Sequence, residues 1–219
     1  SQAKKRWSVI LERTVLELQG VSCIDLETAP APKQQIACTR SFGKPVTELP
    51  ALLEAISEFA TRAAEKARQG DLCAAQLLVF AYTSPCSSTQ VQWSGSVTIR
   101  LGMPTADTAA LVQAAARGMQ DIYEPGYRLA KAGVVLMDLR SANACQQSTL
   151  FDSCEENKAE RQRLMWALDA INQRFGPGTL KLASSGLAGS ANSGWRMKHG
   201  KRSPLYTTCF EDVPIAYAK

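Results

Sequence analysis

The chain has 219 residues, 45% of them hydrophobic, and a net charge of +5, so it can hold one large domain or two small ones around a real core and leans towards an acidic partner such as nucleic acid. No apolar run approaches the ~20 residues that span a bilayer, and the opening SQAKKRW, with no apolar run behind its basic residues, is not expected to be a signal peptide. Seven widely spaced cysteines with no C-x-x-C pair and one histidine, His199, argue against a zinc site and for reduced thiols in a cytosolic protein.

Lys4–Leu18 reads as a helix, with Trp7, Ile10, Leu11, Thr14, Val15 and Leu18 on one face and Gly20 as its stop. Nothing precedes it to pack on, so it looks like the last piece of something larger. Val21–Lys33, containing ETAPAPK, reads as an extended linker. Gln34–Phe42 reads as a strand ended by Gly43. Thr47 is the expected cap of a long helix to about Arg68, with Leu49, Leu52, Leu53, Ile56, Phe59, Ala60, Ala63 and Ala67 as its stripe. Cys73–Thr83 reads as a second strand and Gln92–Leu101 as a third. Within the third, SGSVTIRL alternates strictly: Val97, Ile99 and Leu101 point one way, Ser96, Thr98 and Arg100 the other. Pro104-Thr105 opens a helix over Ala106–Glu124, and Arg128–Leu139 reads as a fourth strand.

The order β-α-β-β-α-β predicts an α+β domain: a four-stranded antiparallel sheet with two helices on one face and the other face open. Ser141–Lys158 reads as a polar linker. Glu160–Phe175 reads as a helix anchored by Leu164, Leu168, Ile171 and Phe175, followed by a short strand at Thr179–Ala183 and a mobile Ser/Gly-rich stretch, a small C-terminal α/β segment. The domains expected are therefore 1–27, 33–140, 141–158 and 159–219.

No phosphate-binding loop or serine-nucleophile motif is present, and the acids lie on helix surfaces, in turns or in the linker, so no intrinsic active site is expected. Three stretches could carry binding. Arg40, Ser41, Lys44, Thr98, Arg100, Arg128 and Lys131 converge on one sheet, and hydroxyls with cations suit phosphates rather than base edges. Gln147-Ser148-Thr149-Leu150-Phe151 sits alone in a polar linker and suits docking in a partner's groove through Gln147, Leu150 and Phe151. Trp195, Arg196, Lys198, Lys201 and Arg202 make a basic-aromatic tail, either a second contact or the core aromatics of a small domain.

Along nearly its whole length the chain resembles the C-terminal part of UmuC-like Y-family translesion DNA polymerases. WSVILERTVLELQG is similar to the end of the thumb. The stretches beginning IACTRSFGKP and GYRLAKAGVVLMDL are similar to the little-finger domain. QSTLF resembles the clamp-binding peptide, and WRMKHGKRSPLYTTCFEDVP the terminal signature. The resemblance implies a bacterial, cytoplasmic, nucleoid-associated protein of the SOS response. Its little finger would grip primer and template backbones through Arg40, Ser41, Phe42, Gly43, Arg128 and Lys131. Its partners would be the sliding clamp, a UmuD-type dimer and the RecA filament. Nothing here matches the palm carboxylates of that family, so no cofactor is expected in this chain, Mg²⁺ belonging to the catalytic core it lacks. Ser148 stands where the clamp peptide more usually has leucine. A protein-interaction module with incidental charge, and an enzyme with an unrecognised site, remain as other readings.

Overall fold

The computed structural model describes residues 8–23, 31–85, 91–142, 155–186, 195–197, 203–204, 206 and 209–215, with side chains of the last helix described from 159 onward. The chain divides into two units, Ser1–Lys33 and Gln34–Lys219.

In the first unit, α1 runs over Val9–Leu18. Ser8 caps its start by accepting the Leu11 N–H, and Gly20, at φ +83°, closes its end while the N–H groups of Gly20 and Val21 bond back to Glu17 and Leu16. This paired closure needs a left-handed residue, and glycine takes it without steric cost. None of the residues of α1 is buried.

The second unit is built on β1 (Ile36–Val46), α2 (Leu49–Gln69), β2 (Leu72–Thr83), β3 (Ser94–Thr105), α3 (Thr108–Ile122), β4 (Leu129–Ser141) and α4 (Glu155–Phe175). The strands form one antiparallel sheet in the order β1-β4-β2-β3, the interleaved arrangement that two β-α-β crossovers produce. This is the α+β architecture the sequence predicts.

The core lies between the sheet and α2 and α3. Leu52, Ile56, Ala60, Ala63 and Ala67 of α2 and Leu111, Ala115 and Met119 of α3 meet Leu77 and Val79 of β2 and Val134 and Leu136 of β4, all fully buried. Each large side chain buried there contributes about 1.5–3 kcal/mol. Small residues let the layers close: a Cβ on Gly118 of α3 would stand 2.7 Å from Ile99 Cδ1 and 3.0 Å from Val97 Cγ1.

Several boundaries differ from the sequence reading. β1 does not end at Gly43; it continues to Val46 through a bulge, so that Val46 comes opposite Leu129 where an unbroken register would put Gly43. Glu48, not Thr47, holds the N-cap position of α2 and makes no side-chain cap, while the Thr47 carbonyl is taken by the Tyr123 hydroxyl. β3 starts at Ser94 and runs past Pro104 to Thr105, and Asp107 caps α3 by accepting the Ala110 N–H. β4 continues to Ser141, and both Leu136 and Leu139 pack on the core because Asp138, at φ +49°, resets the alternation between them.

The C-terminal region departs further. The helix begins at Glu155, inside the expected linker. Its buried residues are Met165 and Leu168, while Leu164 and Phe175, read as anchors, are exposed. Thr179–Ala183 is not a strand. The Asn172 side chain takes both the N–H and the carbonyl of Leu180, and the Thr179 hydroxyl donates to the Phe175 and Gly176 carbonyls, so local partners satisfy groups a ladder would have used. Short 3₁₀ turns follow at Ala183–Ser185 and Phe210–Asp212. Among the described residues this region is helical, not α/β, and no described helix is long and apolar enough to cross a membrane.

Candidate nucleic-acid interface

Partners directly opposite in a ladder share a face, so the registers define the side of the sheet turned away from α2 and α3. Its rows are Ser41–Lys131–Tyr82–Ser94, then Thr39–Gly133–Phe80–Ser96, then Ala37–Val135–Leu78–Thr98, and last Met137–Gln76–Arg100. None of these residues is acidic. The two edge strands carry exposed hydroxyls, Thr39 and Ser41 on β1 and Ser94, Ser96 and Thr98 on β3. Between them the central strands carry a half-buried apolar ridge, Leu78, Phe80, Tyr82 and Met137.

The ridge is ordered by its own packing. Phe80 and Tyr82 stack at 6.0 Å between ring centroids with 12° between planes, and Lys131 Nζ lies 5.8 Å from the Tyr82 centroid. The Phe80 ring and the Thr39 side chain cover Gly133, whose added Cβ would stand 2.5 Å from Thr39 Cγ2 and 2.8 Å from Phe80 Cζ. A glycine here allows the ring to lie flat on the β4 backbone. Lys131 and Arg100 stand at opposite ends of the face, on different strands.

The structure brings together Ser41, Thr98, Arg100 and Lys131 of the residues expected to bind. Lys44 is exposed and Gly43 half-buried in the β1 bulge at the rim, and Arg128 is exposed immediately before β4. Arg40 is elsewhere: it pairs with Ala132, on the side of Cys38 and the helices. Phe42 packs against the core. Trp195 is fully buried, edge-on to Phe59 of α2 at 5.8 Å, with the Arg196 guanidinium 5.6 Å from its ring centroid, so its faces are not free to stack on a base. Lys198, Lys201, Arg202 and the peptide residues Gln147, Leu150 and Phe151 lie outside the described residues.

Thr39, Ser94, Ser96, Phe80 and Tyr82 belong to the face and were not among the expected site residues. β2 reads as almost unbroken apolar sequence, LLVFAY, because its outward Leu78, Phe80 and Tyr82 form the half-buried ridge while Leu77, Val79 and Ala81 face the helices, so its alternation is invisible without the register. The alternation of SGSVTIRL already puts Ser96 on the side of Thr98 and Arg100, and Thr39 could have been found by the same parity in β1.

Among the described residues, the C-terminal region from α4 onward does not occupy this face. Its described contacts reach the opposite layer: Arg68 to Asp169, Lys181 to Glu58, Arg161 to Asp107 and Trp195 to Phe59. Asp107 shows the balance of forces there. Burial pushes its carboxyl up, but hydrogen bonds from Arg161 and from the Ala110 N–H, with the charge of Arg161, outweigh burial and hold it below its ordinary value. The same pairing raises Arg161. Among the described residues no group of three or more His, Cys, Asp or Glu side chains could hold a metal ion.

Among the described residues the split β-α-β sheet thus presents one hydroxyl- and cation-bearing face as an open platform, with a helix layer behind it. The chain belongs to the impB/mucB/samB family: residues 33–150 match the model of that family's C-terminal domain. Residues 162–216 match a domain of unknown function, DUF4113. The chain is 40% identical over 213 residues to protein ImpB and 41% identical over 213 residues to protein SamB, both of Salmonella typhimurium, covering 97% of this chain and 49% of each relative. Against protein UmuC of the same species it is 36% identical over 210 residues, 96% of this chain and 48% of that one. It thus spans about half the length of these relatives.

Proposed function

We propose that this chain is the DNA-gripping, clamp-tethering C-terminal region of an error-prone translesion DNA polymerase of the UmuC-like kind, acting in the SOS response to DNA damage. The observation that carries the reading is the uncovered face. Its hydroxyl-bearing edges are separated by three strand spacings, about 14 Å, against a major groove about 12 Å wide. The two edges can therefore meet the two backbones while the ridge projects between them. Hydroxyls, Lys131 and Arg100 recognise phosphate, and Leu78, Phe80, Val135 and Met137 have no polar side-chain group with which to read a base, so the grip is blind to sequence. Lys44 and Arg128 at the rim add charge. That blindness suits an enzyme that must hold duplex of any sequence beside a lesion.

The chain binds and does not polymerise on its own, since it matches none of the family's catalytic carboxylates. Gln147, Leu150 and Phe151 dock on the sliding clamp, and the family resemblance adds a UmuD-type dimer and the RecA filament as partners in the bacterial cytoplasm. A second reading, a protein-interaction module, is favoured by the exposed Leu164, Trp166 and Phe175 of α4.

Titration of primed duplex by fluorescence anisotropy across a salt series separates the two. Counterion release makes log K fall with log salt at about 0.9 per phosphate contacted, and Lys131→Ala and Arg100→Ala each remove about one contact from that slope. A flat salt response overturns the DNA reading. Leu150→Ala with Phe151→Ala abolishes clamp capture and leaves duplex binding intact.

A further inference from the structure

We infer that the C-terminal unit is a releasable cap on the helix layer, held by two guanidinium–carboxylate forks, and that it can leave while the sheet and its two helices stay folded. The first fork centres on Arg68, at the end of α2. Its Nε and Nη2 donate to the two carboxylate oxygens of Asp169 on α4, at 2.7 and 2.6 Å, and its Nη1 donates to the Ala106 carbonyl at 2.6 Å and to Thr108 Oγ1 at 2.9 Å. One side chain, only 10% exposed, thus ties α2, the β3–α3 corner and α4 together. The second fork runs from Arg161 of α4 to both oxygens of Asp107, at 2.9 Å each.

The rest of the seam is poorly matched. Among the described residues, the buried apolar side chains the cap contributes are Met165, Leu168 and Trp195, with Leu182 partly buried against the core. Glu58 Oε2 on α2 has the Lys181 ammonium of the cap 3.8 Å away, whereas two buried polar atoms, Ser185 Oγ and Trp195 Nε1, have no hydrogen-bond partner among the described residues. Each such group carries a desolvation cost that docking does not recover.

The helix itself is turned away from its best face. Leu164, Leu168, Ile171 and Phe175 recur at helical spacing, yet Leu164 is 61% and Phe175 65% exposed, and the side presented to α2 and α3 is that of Met165, Leu168 and Asp169. An interface of oriented ion pairs over a small apolar area is specific but readily parted. Leu52, Ile56, Leu111 and Met119 are buried together with Leu77, Val79, Val134 and Leu136 of the sheet, and the cap adds Trp195 to the edge of that cluster against Phe59.

Native-state hydrogen exchange on the full chain tests this. In Asp169→Asn, the amides of 162–174 should lose about tenfold or more of their protection, as an undocked helix frays, while those of 55–67 and 132–136 keep theirs. Arg161→Gln, at an exposed position, should move the same amides alone and by less. Unchanged protection in both variants overturns the inference. So does equal loss across all three segments, or unfolding of the whole chain, because a cap that releases must leave its base intact.

Discussion

Asp107 serves two elements at once. One carboxylate oxygen accepts the Ala110 N–H and caps α3, and both oxygens take the Arg161 fork. Because its carboxyl is held below the ordinary value, its stabilising effect is fully present above the unfolded pKa of about 3.9 and disappears as pH falls through the lower folded value. Asp107→Ala should cost about 1–2 kcal/mol at pH 7 in urea unfolding and should flatten the loss of stability between pH 4 and acid, which the wild type must show if the pairing holds. Cys38 behaves oppositely. Burial pushes its thiol up, and Lys66, hydrogen-bonded to it, offsets this only in part. It sits under α2 and should resist thiol reagents at neutral pH in the folded chain, whereas the partly exposed Cys209 should react.

The elements were largely legible, their faces less so. β3 declared itself because its edge position leaves one side wet, and SGSVTIRL alternates accordingly. The long helices declared themselves through stripes such as Leu52, Ile56, Ala60, Ala63 and Ala67. β2 kept its orientation hidden because its residues are apolar on both faces, Leu77, Val79 and Ala81 towards the helices and Leu78, Phe80 and Tyr82 on the open side. The bulge after Ser41 carried Lys44 and Gly43 to a rim that sequence spacing does not encode, and Arg40 went to the helix side because strict alternation from Cys38 sends it there. The α4 stripe misled because two salt links, Arg68–Asp169 and Arg161–Asp107, choose the docked side instead of the apolar one. At this scale Gly133 is the sharpest test of the face. Gly133→Ala puts a methyl between Thr39 and Phe80 and should destabilise the sheet by about 1–3 kcal/mol, read by chemical denaturation. If the ring's position matters for grip, duplex affinity falls with it while the salt slope stays the same.

The second unit, in its described residues, is layered: sheet, then α2 and α3, then α4. The layering was half foreseen. Sequence pattern gave two helices on one side of four strands, but the third layer depends on contacts between residues as far apart as Arg68 and Asp169, which no local spacing announces. An incorporation assay with Mg²⁺, primed template and nucleotides should give no extension by this chain, while the same sample retards the duplex on a gel; extension would require carboxylates that the reading has overlooked.

That stacking also settles traffic around the molecule. The outward side of α4 lies two packing layers behind the open face, and Gln173 is exposed there. On the proposed reading, a bulky label fixed at Gln173 should leave duplex affinity and its salt slope unchanged, whereas the same label at Thr98 should lower both.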